Sequence, residues 1–147
     1  MDGSKGRRWM KKTLFTKIVE GDIPSSKVAE GDLWYAFLDI NPWRMGHTLV
    51  VPREPAQRIS ELSIESRNAL MEGVVEVQRR LSIEFKTSDF SVNVNDGPQA
   101  GQEVPHTHIH VIPRCVENDN RPLWTNKNTS TPDFVMLEEL SKRLQSL

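Results

Sequence analysis

His106-Thr107-His108-Ile109-His110-Val111-Ile112 holds three of the chain's four histidines on alternate positions. Between them stand Thr107, Ile109 and Val111, β-branched side chains whose stiff χ1 favours a pleated strand. Residues i, i+2 and i+4 of a strand line one face, so this pattern predicts three imidazoles on one side and Thr, Ile and Val on the other. Neighbouring rings would then stand about 7 Å apart at their Cα atoms. Three titratable rings in register make a poor core and a good site.

Working outward, Phe90 to Asn95 alternates apolar and polar residues and predicts a half-buried strand, with Asp96 to Glu103 as the loop that returns antiparallel into the histidine strand. Gly97 and Gly101 allow close backbone approach, and the amides of Asn95, Gln99 and Gln102 can donate to oxygens. Upstream, His47 to Val51 is β-branched and ends at Pro52, which predicts a central or near-central strand. Lys27–Glu30 and Leu33–Leu38 are short strands around the turn Gly31-Asp32, and Pro42 forces Asp39-Ile40-Asn41 to turn. Thr13 to Glu20 predicts a short helix closed by Gly21.

The strongest helical signal starts at Ser63, an N-cap residue, and runs through Leu70, Val74, Val77, Leu81 and Phe85. Gly73 inside it costs about 1 kcal/mol relative to Ala, which predicts close packing at that point. Pro132 to Leu147 predicts a C-terminal helix, with Thr131 as N-cap, Pro132 at N1, and Phe134, Leu137, Leu140 and Leu144 on one face. The expected class is α+β: an antiparallel sheet covered by one long helix, with short N-terminal and C-terminal helices.

The chain has 147 residues, 37% of them hydrophobic, which suits a single domain over residues 13–147, with 115–147 as a C-terminal extension. No apolar run of membrane-spanning length occurs, the basic start lacks the apolar stretch of a secretory leader, and the lone Cys115 fits a reducing, cytoplasmic setting. Of 19 basic and 20 acidic side chains, five and one fall in residues 1–12, so the rest carries 14 against 19, a net −5. Residues 1–12 read as a flexible basic tail. The acidic body argues against a nucleic-acid surface.

Three chemistries would use alternating histidines. Two could share a metal ion, but the other ligands would have to be carboxylates or Cys115, and no cysteine cluster exists. A purely structural role suits one buried histidine better than three in register. The third is covalent catalysis on phosphorus, for which a neutral imidazole is nucleophilic near pH 7. The glycine loop before the triad offers backbone N–H groups that could hold an anion beside it.

Gly101-Gln102-Glu103-Val104-Pro105-His106-Thr107-His108-Ile109-His110-Val111-Ile112-Pro113-Arg114 resembles the signature of the histidine triad superfamily of nucleotide hydrolases and transferases. Phe15-Thr16-Lys17-Ile18, Gly21-Asp22-Ile23-Pro24, Phe37-Leu38-Asp39-Ile40-Asn41-Pro42 and Gly46-His47-Thr48-Leu49-Val50-Val51-Pro52 match that family in order and spacing. The resemblance implies that His108 attacks an α-phosphate to give a nucleotidyl-histidine, which water cleaves. It implies that His106 and His110 flank and orient the nucleophile, and that His47 supports them. Asn95, Gln102 and the backbone at Glu103 and Val104 match phosphate-contacting positions, and Asp39 matches a ribose acceptor. Phe15, Ile18, Leu38, Ile40 and Leu49 match an apolar slot for a purine base.

The family further implies a homodimer; the residues themselves lead us to expect no cofactor and no metal, and no nucleic-acid or membrane partner. Trp124 and the C-terminal helix would either reach a partner's site or cover the core. Glu103 departs from the Ser or Thr of many members, and its carboxylate would have to turn away from phosphate. The loop from Asp96 to Gly101 resembles the dinucleoside polyphosphate-cleaving branch and the front half resembles the phosphoramidase branch. The alternative function is a nucleotide-binding or scaffolding protein with little turnover.

Overall fold

The computed structural model describes residues 12–123 and 131–147. The elements run α1 (Leu14–Val19), β1 (Lys27–Glu30), β2 (Trp34–Leu38), β3 (Thr48–Pro52), α2 (Ile64–Phe85), β4 (Phe90–Asn93), β5 (Ile109–Pro113) and α3 (Phe134–Gln145), with short 3-10 turns at Ile59–Glu61, Pro98–Ala100 and Val116–Asn118. The strands form one sheet in the order β1-β2-β3-β5-β4, with every neighbouring pair antiparallel. This is the expected α+β class, with β3 at the centre as its β-branched content predicts.

The sheet divides the side chains into two layers. Ala36, Leu38, Val50, Ile109 and Val111 face α2 and α3 and form the main core with Leu70, Val74, Val77, Leu81, Leu137, Leu140 and Leu144. Tyr35, Phe37, Leu49 and Val51 face the other way and pack with Phe15 and Ile18 of α1. α1 is therefore a small second cover, on the side opposite the long helix. Ser63 caps α2 by accepting from Ser66 N–H at 3.1 Å. Gly73 meets Trp34 of β2: a Cβ there would stand 2.7 Å from the indole Cδ2, so only glycine lets helix and strand approach this closely.

Three sequence expectations need correction. The histidine stretch enters the sheet only at Ile109, so His106 and His108 precede the ladder. The reason is local: Thr107 N–H and hydroxyl both turn to the Ala56 carbonyl, at 2.7 and 3.0 Å, and His106 N–H bonds back to Val104. β4 stops at Asn93, two residues early, where the chain leaves β5 to begin the glycine loop. In α3 the N-cap is Asp133, whose carboxylate accepts from Met136 N–H at 3.0 Å, in place of Thr131, and Phe134 is 63% exposed and off the buried face. An ionised Asp is as good a cap as Thr and also complements the helix dipole. Residues 1–11 of the basic tail and Trp124 lie outside the described residues.

Candidate active site

A cavity of about 800 Å³ opens on the α1 side of the sheet, lined by Leu14, Phe15 and Ile18, by Phe37 to Asn41, by Trp43, Leu49 and Leu123, by Val92 to Asn95, and by Gly101, Glu103, Val104, His108, His110 and Ile112. Among the sequence-predicted residues it gathers His108, His110, Asp39, Asn95, Glu103, Val104, Phe15, Ile18, Leu38, Ile40 and Leu49. Leu38 is 1% exposed and belongs to the main core, so its side chain supports the floor from beneath. His106, His47 and Gln102 do not line the cavity and stand behind it.

The hydrogen bonds assign a tautomer to each ring. Trp43 N–H faces His47 Nδ1 at 3.0 Å, and a backbone amide can only donate, so His47 carries its proton on Nε2. That nitrogen lies 2.9 Å from His110 Nδ1 and donates to it, which leaves neutral His110 protonated on Nε2. His106 Nε2 donates to the Pro52 carbonyl at 2.9 Å, so its Nδ1 accepts from the Thr13 hydroxyl at 2.9 Å. His108 Nδ1 donates to the His106 carbonyl at 2.8 Å. The lone pair of His108 is therefore on Nε2.

Ring packing orders the same groups. His108 meets His110 edge-on at 5.0 Å and Phe15 at 5.0 Å, while His106 lies 5.9 Å from Phe15. Burial pushes the His108 pKa below the ordinary histidine value, against the opposing pull of the His106 carbonyl and the Asp39 and Glu103 carboxylates. Burial likewise lowers His106, opposed by the Pro52 carbonyl and assisted by His108. Both rings are thus held neutral at physiological pH, which for His108 is the nucleophilic state.

Asp39 uses one oxygen to accept from Asn41 N–H at 2.8 Å, the turn role that its position before Pro42 suggests, and its other oxygen lies 3.7 Å from His47 Nε2. Asp39, His47 and His110 each offer a ligand atom within 4.8 Å of the others, which makes them the group best placed to hold a cation among the described residues. A cation there would have to take the place of the proton that His47 shares with His110.

The glycine loop takes its form from Gly97, at φ +105° and ψ 153°, a conformation open to glycine alone. Gln102 stitches that loop: Oε1 accepts from Gly97 N–H at 2.8 Å and Nε2 donates to the Gln57 carbonyl at 2.9 Å. Its side chain thus shapes the loop, where the resemblance implied a phosphate contact. The exposed Glu103 and the half-buried Asp39 are the carboxylates of the cavity wall, and no Lys or Arg lines it among the described residues.

Phe37, Trp43, Asn93 and Leu123 line the cavity without having been singled out from the sequence. Phe37 and Asn93 were accessible in principle, since register puts Phe37 opposite Leu49 and Asn93 opposite His110. Leu123 depends on a long-range clasp with no sequence signal: the buried Arg44 donates to the carbonyls of Trp43, Asp119 and Arg121 at 2.6, 2.6 and 3.2 Å.

A family model for the HIT domain, named for its histidine triad, matches residues 20–116. The chain belongs to the HIT family. It is 39% identical over 137 residues to the hit protein of Bacillus subtilis, covering 90% of this chain and 94% of that one. It is 38% identical over 134 residues to the adenosine 5'-monophosphoramidase of Schizosaccharomyces pombe, covering 90% and 98%. A crystal structure of a HIT-like protein from Bartonella henselae superposes with a TM-score of 0.81 at 26% identity, over 94% of this chain and 97% of that one. Within this HIT chain, the triad residues occupy unequal places: His108 and His110 face the cavity, and His106 stands behind His108 as its support.

Proposed function

We propose that this protein is a nucleotide hydrolase that cleaves nucleoside 5'-phosphoramidates at the α-phosphate through a covalent intermediate on His108. The observation that carries the reading is the bond from His108 Nδ1–H to the His106 carbonyl, which puts the lone pair of a neutral ring on Nε2. In the first step His108 Nε2 forms a bond to phosphorus as the phosphorus–nitrogen bond breaks. The departing amine takes the Nε2 proton of His110, whose place at the end of the Trp43–His47–His110 series makes it the donor. In the second step water attacks phosphorus, the bond to His108 breaks, and His110 recovers a proton from the water.

The nucleoside would lie along α1, with its base between Phe15, Ile18, Leu49 and Ile40, and its ribose hydroxyls near Asp39, whose ionised carboxylate accepts only. Backbone N–H groups of the Gly101–Val104 segment and the Asn95 amide would hold phosphate oxygens. An amine leaving group suits this cavity better than a polyphosphate chain. Among the described residues its charged wall groups besides histidine are Asp39 and Glu103, which repel extra phosphates and tolerate an amine. The amine reading also agrees with the name of the fission-yeast relative.

The test is rapid-quench reaction with adenosine 5'-phosphoramidate labelled on phosphorus. Label should appear on wild-type protein at His108 within the first turnover. His108→Ala should lose at least about 10³-fold in kcat while still binding AMP. A variant that turns over normally, or label absent from the wild type during steady turnover, would sink the assignment. AMP binding with no turnover of any phosphoramidate or dinucleoside polyphosphate would instead favour a binding or scaffolding role.

A further inference from the structure

We propose that Thr13 and Thr16, at the start of α1, are positioning residues for the nucleophile and act on it through His106. The inference rests on the proposed role of His108 and adds residues to it that neither the triad nor the cavity contains.

One backbone carbonyl holds His108 Nδ1–H. It belongs to His106, which lies outside the β5 ladder, so no strand partner fixes it. The peptide that carries it is anchored by Thr107 N–H, which donates to the Ala56 carbonyl at 2.7 Å, and His106 is held in addition by its own side chain. Its ring is fully buried and tied at both nitrogens, Nε2–H to the Pro52 carbonyl at the end of β3 and Nδ1 to the Thr13 hydroxyl of α1, both at 2.9 Å. The Pro52 carbonyl can accept only, so in the neutral ring Nδ1 is the acceptor and the Thr13 hydroxyl is its donor.

Thr16 completes the arrangement. Its N–H donates to Thr13 Oγ1 at 3.1 Å, and its own hydroxyl lies 3.1 Å from Thr13 Oγ1 and 3.4 Å from His106 Nδ1. Thr13 N–H in turn reaches Thr16 Oγ1 at 3.3 Å. The two residues form a reciprocal capping box, which alone would explain a Thr at each position. A cap, however, needs only an acceptor at Thr13, and the bond to His106 needs a donor. That difference separates a structural role from a positioning role.

The same six-residue helix carries Phe15, which packs edge-on against both His106 and His108, and Ile18 of the apolar slot. Docking of a base against α1 would therefore press on the element that orients the nucleophile. Nucleoside recognition and His108 geometry are mechanically linked through one turn and a half of helix.

Two substitutions separate the roles. Thr13→Ser keeps both the cap and the donor. Thr13→Asp keeps an N-cap of comparable strength but, ionised, offers His106 no proton. With adenosine 5'-phosphoramidate, T13S should hold kcat within about threefold of wild type. T13D should lose about tenfold or more in kcat with KM changed much less, because a misplaced nucleophile costs rate before affinity. The acid limb of its pH profile should also move up, as a carboxylate beside His106 favours the imidazolium.

Nitrogen-15 spectra of the histidine rings, taken without substrate, give a second readout. Wild type and T13S should show His106 protonated on Nε2 and His108 on Nδ1, and T13D should mix these tautomers. Should the wild type turn nothing over yet show these tautomers and their change in T13D, the positioning role stands and the proposed hydrolysis falls. Equal kcat and unchanged ring nitrogens in T13D would overturn the proposal and leave the threonines as a helix cap.

Discussion

At the scale of single residues, the site is a matter of proton bookkeeping fixed by groups that cannot titrate. Trp43 N–H, the Pro52 carbonyl and the His106 carbonyl each have one hydrogen-bonding role, and among them they decide which nitrogen of each histidine is protonated. Burial then keeps His106 and His108 neutral, with folded pKa values below the ordinary 6.5. The consequence for stability has a definite sign. In the unfolded chain both rings take up protons below about pH 6.5, while the folded rings resist, so the unfolded state binds more protons and stability rises with pH. This contribution is fully present above about pH 6.5 and is lost as pH falls from there through the depressed folded values. Urea midpoints should therefore decline between about pH 7.5 and pH 5.5, and the decline should be smaller in His106→Gln. A midpoint that stays level across that window would contradict the burial argument.

At the scale of elements, most of what the sequence suggested is present, and the departures have local causes. The strands expected in the first half of the chain are present: Trp34–Leu38 and Thr48–Pro52 are buried on both faces, one against the α2/α3 core and the other against α1. Ile109–Pro113 puts Ile109 and Val111 in that core and His110 and Ile112 on the cavity. The histidine pattern belongs to the site, yet for two of its three histidines the strand is not what places the ring. Thr107 bonds to Ala56 in preference to a ladder partner, an alternative that Thr side chains readily offer. The Gly73–Trp34 contact shows an element boundary condition that could be read from the sequence as a glycine out of place. Gly73→Ala gains helix propensity of about 1 kcal/mol, but its Cβ would stand 2.7 Å from the indole, and overpacking of this kind costs about 1–3 kcal/mol. The net change in thermal unfolding should be destabilising. A raised Tm would mean that Trp34 can move aside, and Trp34→Phe combined with Gly73→Ala should recover part of the loss.

At the scale of the whole molecule, the two layers differ in purpose. The α2/α3 side is a continuous apolar core, and the α1 side is a small cover over a cavity. α2 also presents apolar residues outward: Ile64, Met71 and Val75 are each more than half exposed, and Val92 on the edge strand β4 is 44% exposed. We propose that these surfaces pair in a homodimer about a two-fold axis, as the family resemblance implies, since a helix and a free sheet edge of this kind are costly to leave in water. Sedimentation equilibrium should give twice the chain mass at micromolar concentration, and Met71→Glu with Val75→Glu should shift it toward the monomer. A wild-type monomer at that concentration would refute this.

The sequence by itself determined the class of the fold, the presence of a histidine site and most of the cavity wall. The first two rest on periodicity and on residue chemistry, which are properties of neighbours along the chain, and the wall residues Phe15, Ile18, Asp39, Ile40, Leu49 and Asn95 came from the resemblance to the histidine triad family. The tertiary structure alone decided how the three triad rings divide their work. That outcome depends on a carbonyl at Pro52, a hydroxyl at Thr13 and an amide at Trp43, each brought to a histidine from a different part of the chain. Side-chain alternation says which way a ring points, but only the group that meets its far nitrogen says where the proton sits.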